Sequence, residues 1–325
     1  MAFTTQTGTE STDAITLLGS AAVDTIDVTA AFEGNYSANV KVEGLAAADV
    51  ITVSRDVDDY TAKGGDGNDS ITFSGSLGDG FVNGNSGNDT LGFATAEEGS
   101  TVFGGAGNDV ITATGNITDS TVRGNQGTDS ITVAGTLDTA FINGNQNNDT
   151  VTITGATTGS SMFGGSGFDS LTVGTISAST IKANEGNDTI VAAVASTGTF
   201  INGNADVDSI SVTGATNTAT VYGGNGTDTL RFTTIASSRV RGDEGNDSFV
   251  ATTINDSFVN GNQGDDTLTA TTVTRSSLIA GEGTDQVNWQ GGTSSYIQGN
   301  GGNDSLSSTV ANDVTATIYG GNGTD

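Results

Sequence analysis

The chain contains no cysteine, no proline and no histidine. Without them there is no disulfide framework, no thiolate or imidazole to ligate a metal, and no Cys or His to act as nucleophile or base. Any metal held by this sequence is therefore a hard cation bound through oxygen. Basic residues are scarce, with Lys and Arg numbering 9 against 38 Asp and Glu, for a formal charge of -29. That balance argues against nucleic acid or an anionic membrane as partner, because both need a basic surface, and it favours bound cations. No apolar run is long enough to cross a bilayer, so membrane insertion is not expected. The first residues, Met1 to Thr7, lack the basic and apolar regions of a cleaved signal peptide.

Only 34% of the residues are hydrophobic, a composition that by itself reads as disordered. What rescues the chain is repetition. Gly64-Gly65-Asp66-Gly67-Asn68-Asp69, followed by Ser70-Ile71-Thr72-Phe73, recurs nearly to the last residue. The closing aspartates are Asp69, Asp89, Asp109, Asp129, Asp149, Asp169, Asp188, Asp208, Asp228, Asp247, Asp266, Asp285, Asp304 and Asp325, a period of about 20 residues. Five places before each stands glycine, except at Ala183 and Ala280, and two places after each of the first thirteen stands a large apolar residue, from Ile71 to Leu306. A short period held this long predicts a solenoid in which each coil packs on its neighbours, and one elongated domain rather than two globular ones.

Within a coil the hexad supplies a turn, because adjacent glycines and Asn adopt positive φ readily. Next comes a strand with alternating hydroxyl and apolar residues, such as Ser130-Ile131-Thr132-Val133, then a variable polar turn, then a second short strand leading into the next hexad. The expectation is an all-β parallel β-roll or β-solenoid with about 20 residues per coil, its regular part on the order of 60 to 70 Å long. Residues 1–63 carry degenerate copies, Gly8 to Asp13, Gly19 to Asp24 and Gly44 to Asp49, without the second glycine and off the regular spacing. They are expected to form an N-terminal cap that has lost the ion, with residues 64–325 as the metal-binding roll.

The residue before each hexad cycles every third coil: Asn83, Phe103, Arg123, Asn143, Phe163, Lys182, Asn202, Tyr222, Arg241, Asn260. Duplication of a three-coil unit explains the cycle, and a lateral contact repeated every third coil is the functional alternative. Arg123, Lys182 and Arg241 are expected to pair with nearby carboxylates, and Trp289, Phe103, Phe163 and Tyr222 to serve packing or an interface. Glu97 and Glu98, adjacent in a variable turn, do not make a catalytic dyad.

A glycine-rich turn directs successive carbonyls into one concavity, and its closing aspartate adds a carboxylate. That is the oxygen set Ca2+ selects. Stacked coils would place the carboxylates about 5 Å apart, where unneutralised like charges oppose folding. An ion shared between successive turns removes that repulsion.

The hexads at Gly64, Gly104, Gly164, Gly223 and Gly320, each except the last followed by x-U with U apolar, resemble the G-G-x-G-x-D-x-U-x nonapeptide of the RTX calcium-binding family. The resemblance covers residues 64–325. It implies a right-handed β-roll that folds on Ca2+ outside the cell after type I secretion. The usual roll carries the nonapeptide on both edges, whereas here one edge alone has it, so a single row of ions is expected.

Carried over residue by residue, the side-chain ligands are Asp69, Asp89, Asp109, Asp129, Asp149, Asp169, Asp188, Asp228, Asp247, Asp266, Asp285, Asp304 and Asp325. The carbonyl donors are Gly64, Gly84, Gly104, Gly124, Gly144, Gly164, Gly223, Gly242, Gly261, Gly299 and Gly320. Asp208 is left out, because Gly203-Asn204-Ala205-Asp206-Val207-Asp208 lacks the middle glycine. About a dozen ions would offset most of the formal charge.

The functional expectation is an extracellular, calcium-stabilised, non-catalytic structural protein: a surface-layer, adhesin-stalk or filament module that self-associates. Alternatives are an ice-binding RTX adhesin region, using outward Ser and Thr rows, and the repeat region of a longer secreted enzyme or toxin. Asp325 closes a hexad with no strand after it, which suggests a fragment of a longer chain or head-to-tail stacking.

Overall fold

A computed structural model describes residues 15–28, 40–54, 56–309 and 315–325. The Gly8 to Asp13 copy lies outside the described residues. The chain divides into two compact units, Met1–Asp169 and Ser170–Asp325. Both are parallel β-solenoid, and among the described residues there is no helix.

In the first unit, the strands entering the hexads stack in parallel, Tyr60–Asp66 on Phe81–Ser86, then Thr101–Ala106, Thr121–Gln126, Phe141–Gln146 and Ser161–Ser166. The strands leaving them form a second sheet in strict register: Ile51, Ile71, Leu91, Ile111, Ile131 and Val151 fall directly opposite one another. These side chains have 0–1% of their surface exposed. Val82, Val102, Val122 and Ile142 close the interior from the other sheet. A period of two puts every second residue inward, so a coil with so few apolar residues still builds a continuous core.

From Val40 to Thr158 each coil of this unit holds three strand segments rather than the two expected. After Ser130–Val133, for example, the chain breaks at Ala134-Gly135 and resumes at Leu137–Asp138. The third segment adds a buried column, Leu77, Ala96, Ile117 and Leu137.

In the second unit the two segments after the hexad fuse into one strand, as in Thr229–Ala236, Ser248–Asn255 and Thr267–Thr274. Coil length shows in the register between these strands. Asp228, Asp247, Asp266 and Asp285 are 19 residues apart, and their strands pair without interruption. Where a coil has 20 residues, from Asp208 to Asp228, the extra residue opens a register shift between Val212 and Ala215. Here too the interior is a stack, Ile190, Ile210, Leu230, Phe249, Leu268 and Val287, with Trp289 buried in the core.

The outward face of the hexad-entering sheet carries the three-coil cycle. Arg123 stacks on Phe103 and Phe141 at 5.7 and 5.2 Å, Lys182 on Phe200 at 5.8 Å, and Arg241 on Tyr222 at 5.4 Å. None of the three makes a close ion pair among the described residues, where the ion pairs are Lys41–Glu43, Lys63–Glu43 and Arg275–Asp256. Arg241 does act on a carboxylate at longer range: burial raises the Asp243 carboxyl and the Arg241 charge opposes that rise. The flanking rings are the close partners of these cations.

Candidate metal centre

The hexad turn requires positive φ at its second and fourth residues. Gly105 (φ 123) and Gly107 (φ 126) meet this without strain, and Asn145 (φ 83) and Asn147 (φ 73) substitute in the Gly144 copy. In the Gly203 copy, Asn204 (φ 81) and Asp206 (φ 74) do the same, so the missing middle glycine leaves the turn intact. Even the worn copy at Gly44 makes this turn, with Leu45 at φ 84 and Ala47 at φ 75.

This geometry swings the closing aspartate inward, under the turn. Asp49 to Asp304 of the column have 1–5% of their surface exposed, whereas Asp325 is exposed. In the first unit Oδ1 of each aspartate accepts the backbone N–H of the aspartate one coil earlier, at 2.7–2.8 Å, in an unbroken ladder from Asp24 to Asp169. A second ladder runs from Asp188 to Asp325 at 2.7–3.2 Å. Asp208 accepts from Asp188 N at 2.9 Å and donates its own N–H to Asp228 Oδ1 at 2.8 Å. The structure thus brings together every predicted aspartate of each unit and adds Asp49 and Asp208, which the motif had excluded. What could have found Asp208 is the tolerance of Asp for the left-handed region at position 206.

The other oxygen is different. Oδ2 of Asp49, Asp69, Asp89, Asp109, Asp129 and Asp149 is buried with no hydrogen-bond partner, and so is Oδ2 of Asp208, Asp228, Asp247, Asp266, Asp285 and Asp304. Asp24 departs from the pattern, because its Oδ2 accepts from Ser20 N at 2.5 Å and Ser20 Oγ at 2.8 Å. Those bonds hold the Asp24 carboxyl below its ordinary range. At Asp89, Asp109, Asp149, Asp208 and Asp247 burial dominates and pushes the carboxyls up, to about 7 for the first two and about 8 for the other three. The backbone N–H bond opposes the shift, and neighbouring aspartates add to it.

The first glycine of each hexad frames this oxygen. A Cβ placed on Gly223 would lie 2.5 Å from Asp228 Oδ2 and 2.7 Å from the carbonyl oxygen of Gly242 in the next coil. Gly64 and Gly104 face their own aspartates likewise, and the next carbonyls, Gly84 O and Gly124 O, at 2.6 and 2.7 Å. A carboxylate oxygen and the next coil's carbonyl oxygen thus both lie close beside the glycine, leaving no room for a Cβ between them. No group of three or more acidic side chains among the described residues is placed to hold a metal. A cation here would take one carboxylate and backbone carbonyls, and the donor set fits a hard ion.

The opposite edge solves the same backbone problem with a hydroxyl. Ser100, Ser238, Ser257 and Ser276 are buried, and each accepts the N–H of the preceding coil at 3.0–3.1 Å. Each also donates to a carbonyl, at 2.6–2.8 Å. Donor and acceptor are both satisfied there. Sequence reasoning missed this column because the turn has no fixed motif beyond one serine.

No protein-family model matches the chain, and no curated protein matches it. Among solved structures it is similar to the X-ray crystal structure of a hyperactive, Ca2+-dependent, beta-helical antifreeze protein from an Antarctic bacterium. The identity is 17%, the match covers 92% of this chain and 88% of that one, and the TM-score is 0.50. At that identity the similarity speaks for the fold, a β-solenoid.

Proposed function

We propose that the chain is a non-catalytic extracellular structural protein whose aspartate edge binds a row of Ca2+ ions, as its resemblance to RTX repeats implies. One observation carries the reading: the buried carboxylate column with Oδ1 committed to the backbone and Oδ2 facing the next coil's carbonyl without a hydrogen-bond partner. An acceptor for the N–H ladder alone would be supplied by Ser, as on the opposite edge, at no cost in buried charge. Repeated aspartate makes sense when a cation completes it. The Ca2+-dependence of the structurally similar antifreeze protein supports the assignment.

Ca2+ would supply the positive charge that lets successive carboxylates stay ionised while buried. Asp69 and its equivalents would hold it through Oδ2, with carbonyl oxygens such as Gly84 O from the following coil. The column is one carboxylate environment repeated, not a pair of carboxylates tuned apart, and that argues for structure rather than acid–base chemistry. A surface-layer, adhesin-stalk or filament role is compatible with a chain whose stability is set by external calcium.

The test is far-UV circular dichroism of the full chain during calcium chelation and re-addition. The expected outcome is loss of most of the strand signal in chelator and its recovery with Ca2+; a spectrum indifferent to chelation sinks the reading.

A second reading, ice binding, rests on the outward rows of the first unit. Ser70, Thr90, Val110, Ser130 and Thr150 align in one column and Thr72, Gly92, Thr112, Thr132 and Thr152 in the next. Arg231, Val250 and Asn288 interrupt the corresponding rows of the second unit. Thermal hysteresis of the calcium-loaded chain decides this, and none at millimolar protein removes it.

A further inference from the structure

Two coils differ from the rest at the point where the oxygens converge. Their first hexad residue is Ala183 or Ala280 in place of glycine. Neither coil is displaced. Lys182 and Asn184 pair with Asn202 and Asn204 in ordinary register, and Ile279 and Gly281 pair with Gln298 and Asn300. Each alanine therefore sits where its neighbours have glycine, and both are fully buried, with 0% exposure. A Cβ at the equivalent Gly223 or Gly242 would lie 2.7 or 2.8 Å from the next coil's carbonyl oxygen and at closest approach to the coil's own Oδ2. In these two coils that methyl group exists.

We propose that the methyl groups of Ala183 and Ala280 crowd Oδ2 in their own coils and plug its approach to a cation, so that the Asp188 and Asp285 carboxylates serve the backbone ladder and bind no Ca2+. The inference rests on the calcium reading above. The plug is local. Ala280 still presents its carbonyl oxygen toward Gly261, the approach that a glycine makes in other coils, so the Asp266 position keeps both its oxygens. In the second unit the plugs bracket an uninterrupted run of four open coils, those of Asp208, Asp228, Asp247 and Asp266. Asp208, excluded by its motif, is inside that run, while Asp188 and Asp285, included by theirs, are outside it.

The experiment is the calcium stoichiometry of the full chain, measured by equilibrium dialysis with elemental analysis at a Ca2+ concentration that saturates the wild type. Ala280→Gly and Ala183→Gly should each raise it by one ion, and the double variant by two. Asp→Asn variants keep an oxygen for the N–H ladder, so they provide a second measure that does not depend on opening a site. Asp247→Asn and Asp208→Asn should each lose one ion, whereas Asp285→Asn should lose none. Circular dichroism in calcium checks that each variant is folded. If Asp285→Asn loses an ion as Asp247→Asn does, or if neither glycine variant gains one, the plug is wrong while the calcium reading stands. If the wild type binds no Ca2+ at all, the calcium reading fails and the plug with it.

Discussion

At the scale of the residue, the aspartate of the hexad has two jobs that its two oxygens divide. Oδ1 replaces a missing sheet acceptor for the N–H of the preceding coil, and Oδ2 faces the next coil's carbonyl. Asp109→Asn separates them, because the amide oxygen keeps the bond to Asp89 N while the charge is lost. In chelator this variant is expected to hold its strand signal to a higher pH than wild type, since one buried carboxyl that would have to ionise is removed. In calcium it is expected to be less stable than wild type by roughly 1–3 kcal/mol. Circular dichroism against pH in chelator and urea unfolding in calcium measure the two effects, and a change of the same sign in both contradicts the division of labour. The worn copy offers a simpler case, since Leu45 (φ 84) occupies a conformation that costs a side-chain-bearing residue about 1–2 kcal/mol. After the entropy lost by glycine, Leu45→Gly should gain about 0.5–1 kcal/mol, read as a higher thermal midpoint in calcium.

At the scale of the element, each coil is held to the next by side chains that finish what the strands leave undone. The turn's penultimate residue works opposite to the aspartate: Asn68 Oδ1 accepts Asn88 N, and Asn88 Oδ1 accepts Asn108 N, both at 2.8 Å. On the other edge, Ser257→Ala would leave Ser238 N without its acceptor. A cost of about 1–3 kcal/mol is expected, measurable by denaturant unfolding. The three-coil cycle also has an element-level cause. Where the residue before the hexad is an aromatic, Phe103, Phe163 or Tyr222, the second hexad residue is Gly105, Gly165 or Gly224. Where it is Asn, as at Asn83 and Asn143, its Oδ1 accepts the N–H of Asn85 or Asn145 at 3.0 and 3.1 Å. At the aromatic step, bulk at one position is matched by absence of a side chain two residues on, while the basic residues of the cycle, followed by Asn125, Asn184 and Asp243, stack on the flanking rings instead.

At the scale of the whole molecule, fifteen aspartates are buried among the described residues, against a formal net charge of -29. Burial raises carboxyls such as Asp109 and Asp149 to about 7 and about 8 from an ordinary 3.8. Between those limits the folded chain binds more protons than the unfolded one, so stability falls as pH rises. The metal-free protein is expected to be most ordered near pH 4 and to lose structure as pH climbs through 6 to 8. Calcium should abolish that loss, and its binding at pH 7 should release protons. Circular dichroism across pH in chelator and in calcium tests the sign; greater order at pH 8 than at pH 4 in chelator would falsify it.

What the sequence by itself determined is the repeat and everything that follows from local pattern. The period, the inward apolar residue two places after each aspartate, and the glycines needed for positive φ together specified an all-β solenoid of about 20 residues per coil. They also picked out a single edge of aspartates, from Asp69 onward. Only the tertiary structure decided what those aspartates meet. The Asp24 to Asp49 bond joins residues 25 apart and the Asp69 to Asp89 bond residues 20 apart, so each partner is set by coil stacking and no local motif contains it. Stacking admits Asp49 and Asp208 to the column despite their imperfect motifs, since the backbone needs only an L-residue that tolerates positive φ. It also stacks Ala183 and Ala280, in ordinary register, where neighbouring coils have glycine. The opening hexad promised an oxygen-rich turn; that one oxygen is committed to the backbone and the other is buried without a hydrogen-bond partner is a property of two adjacent coils.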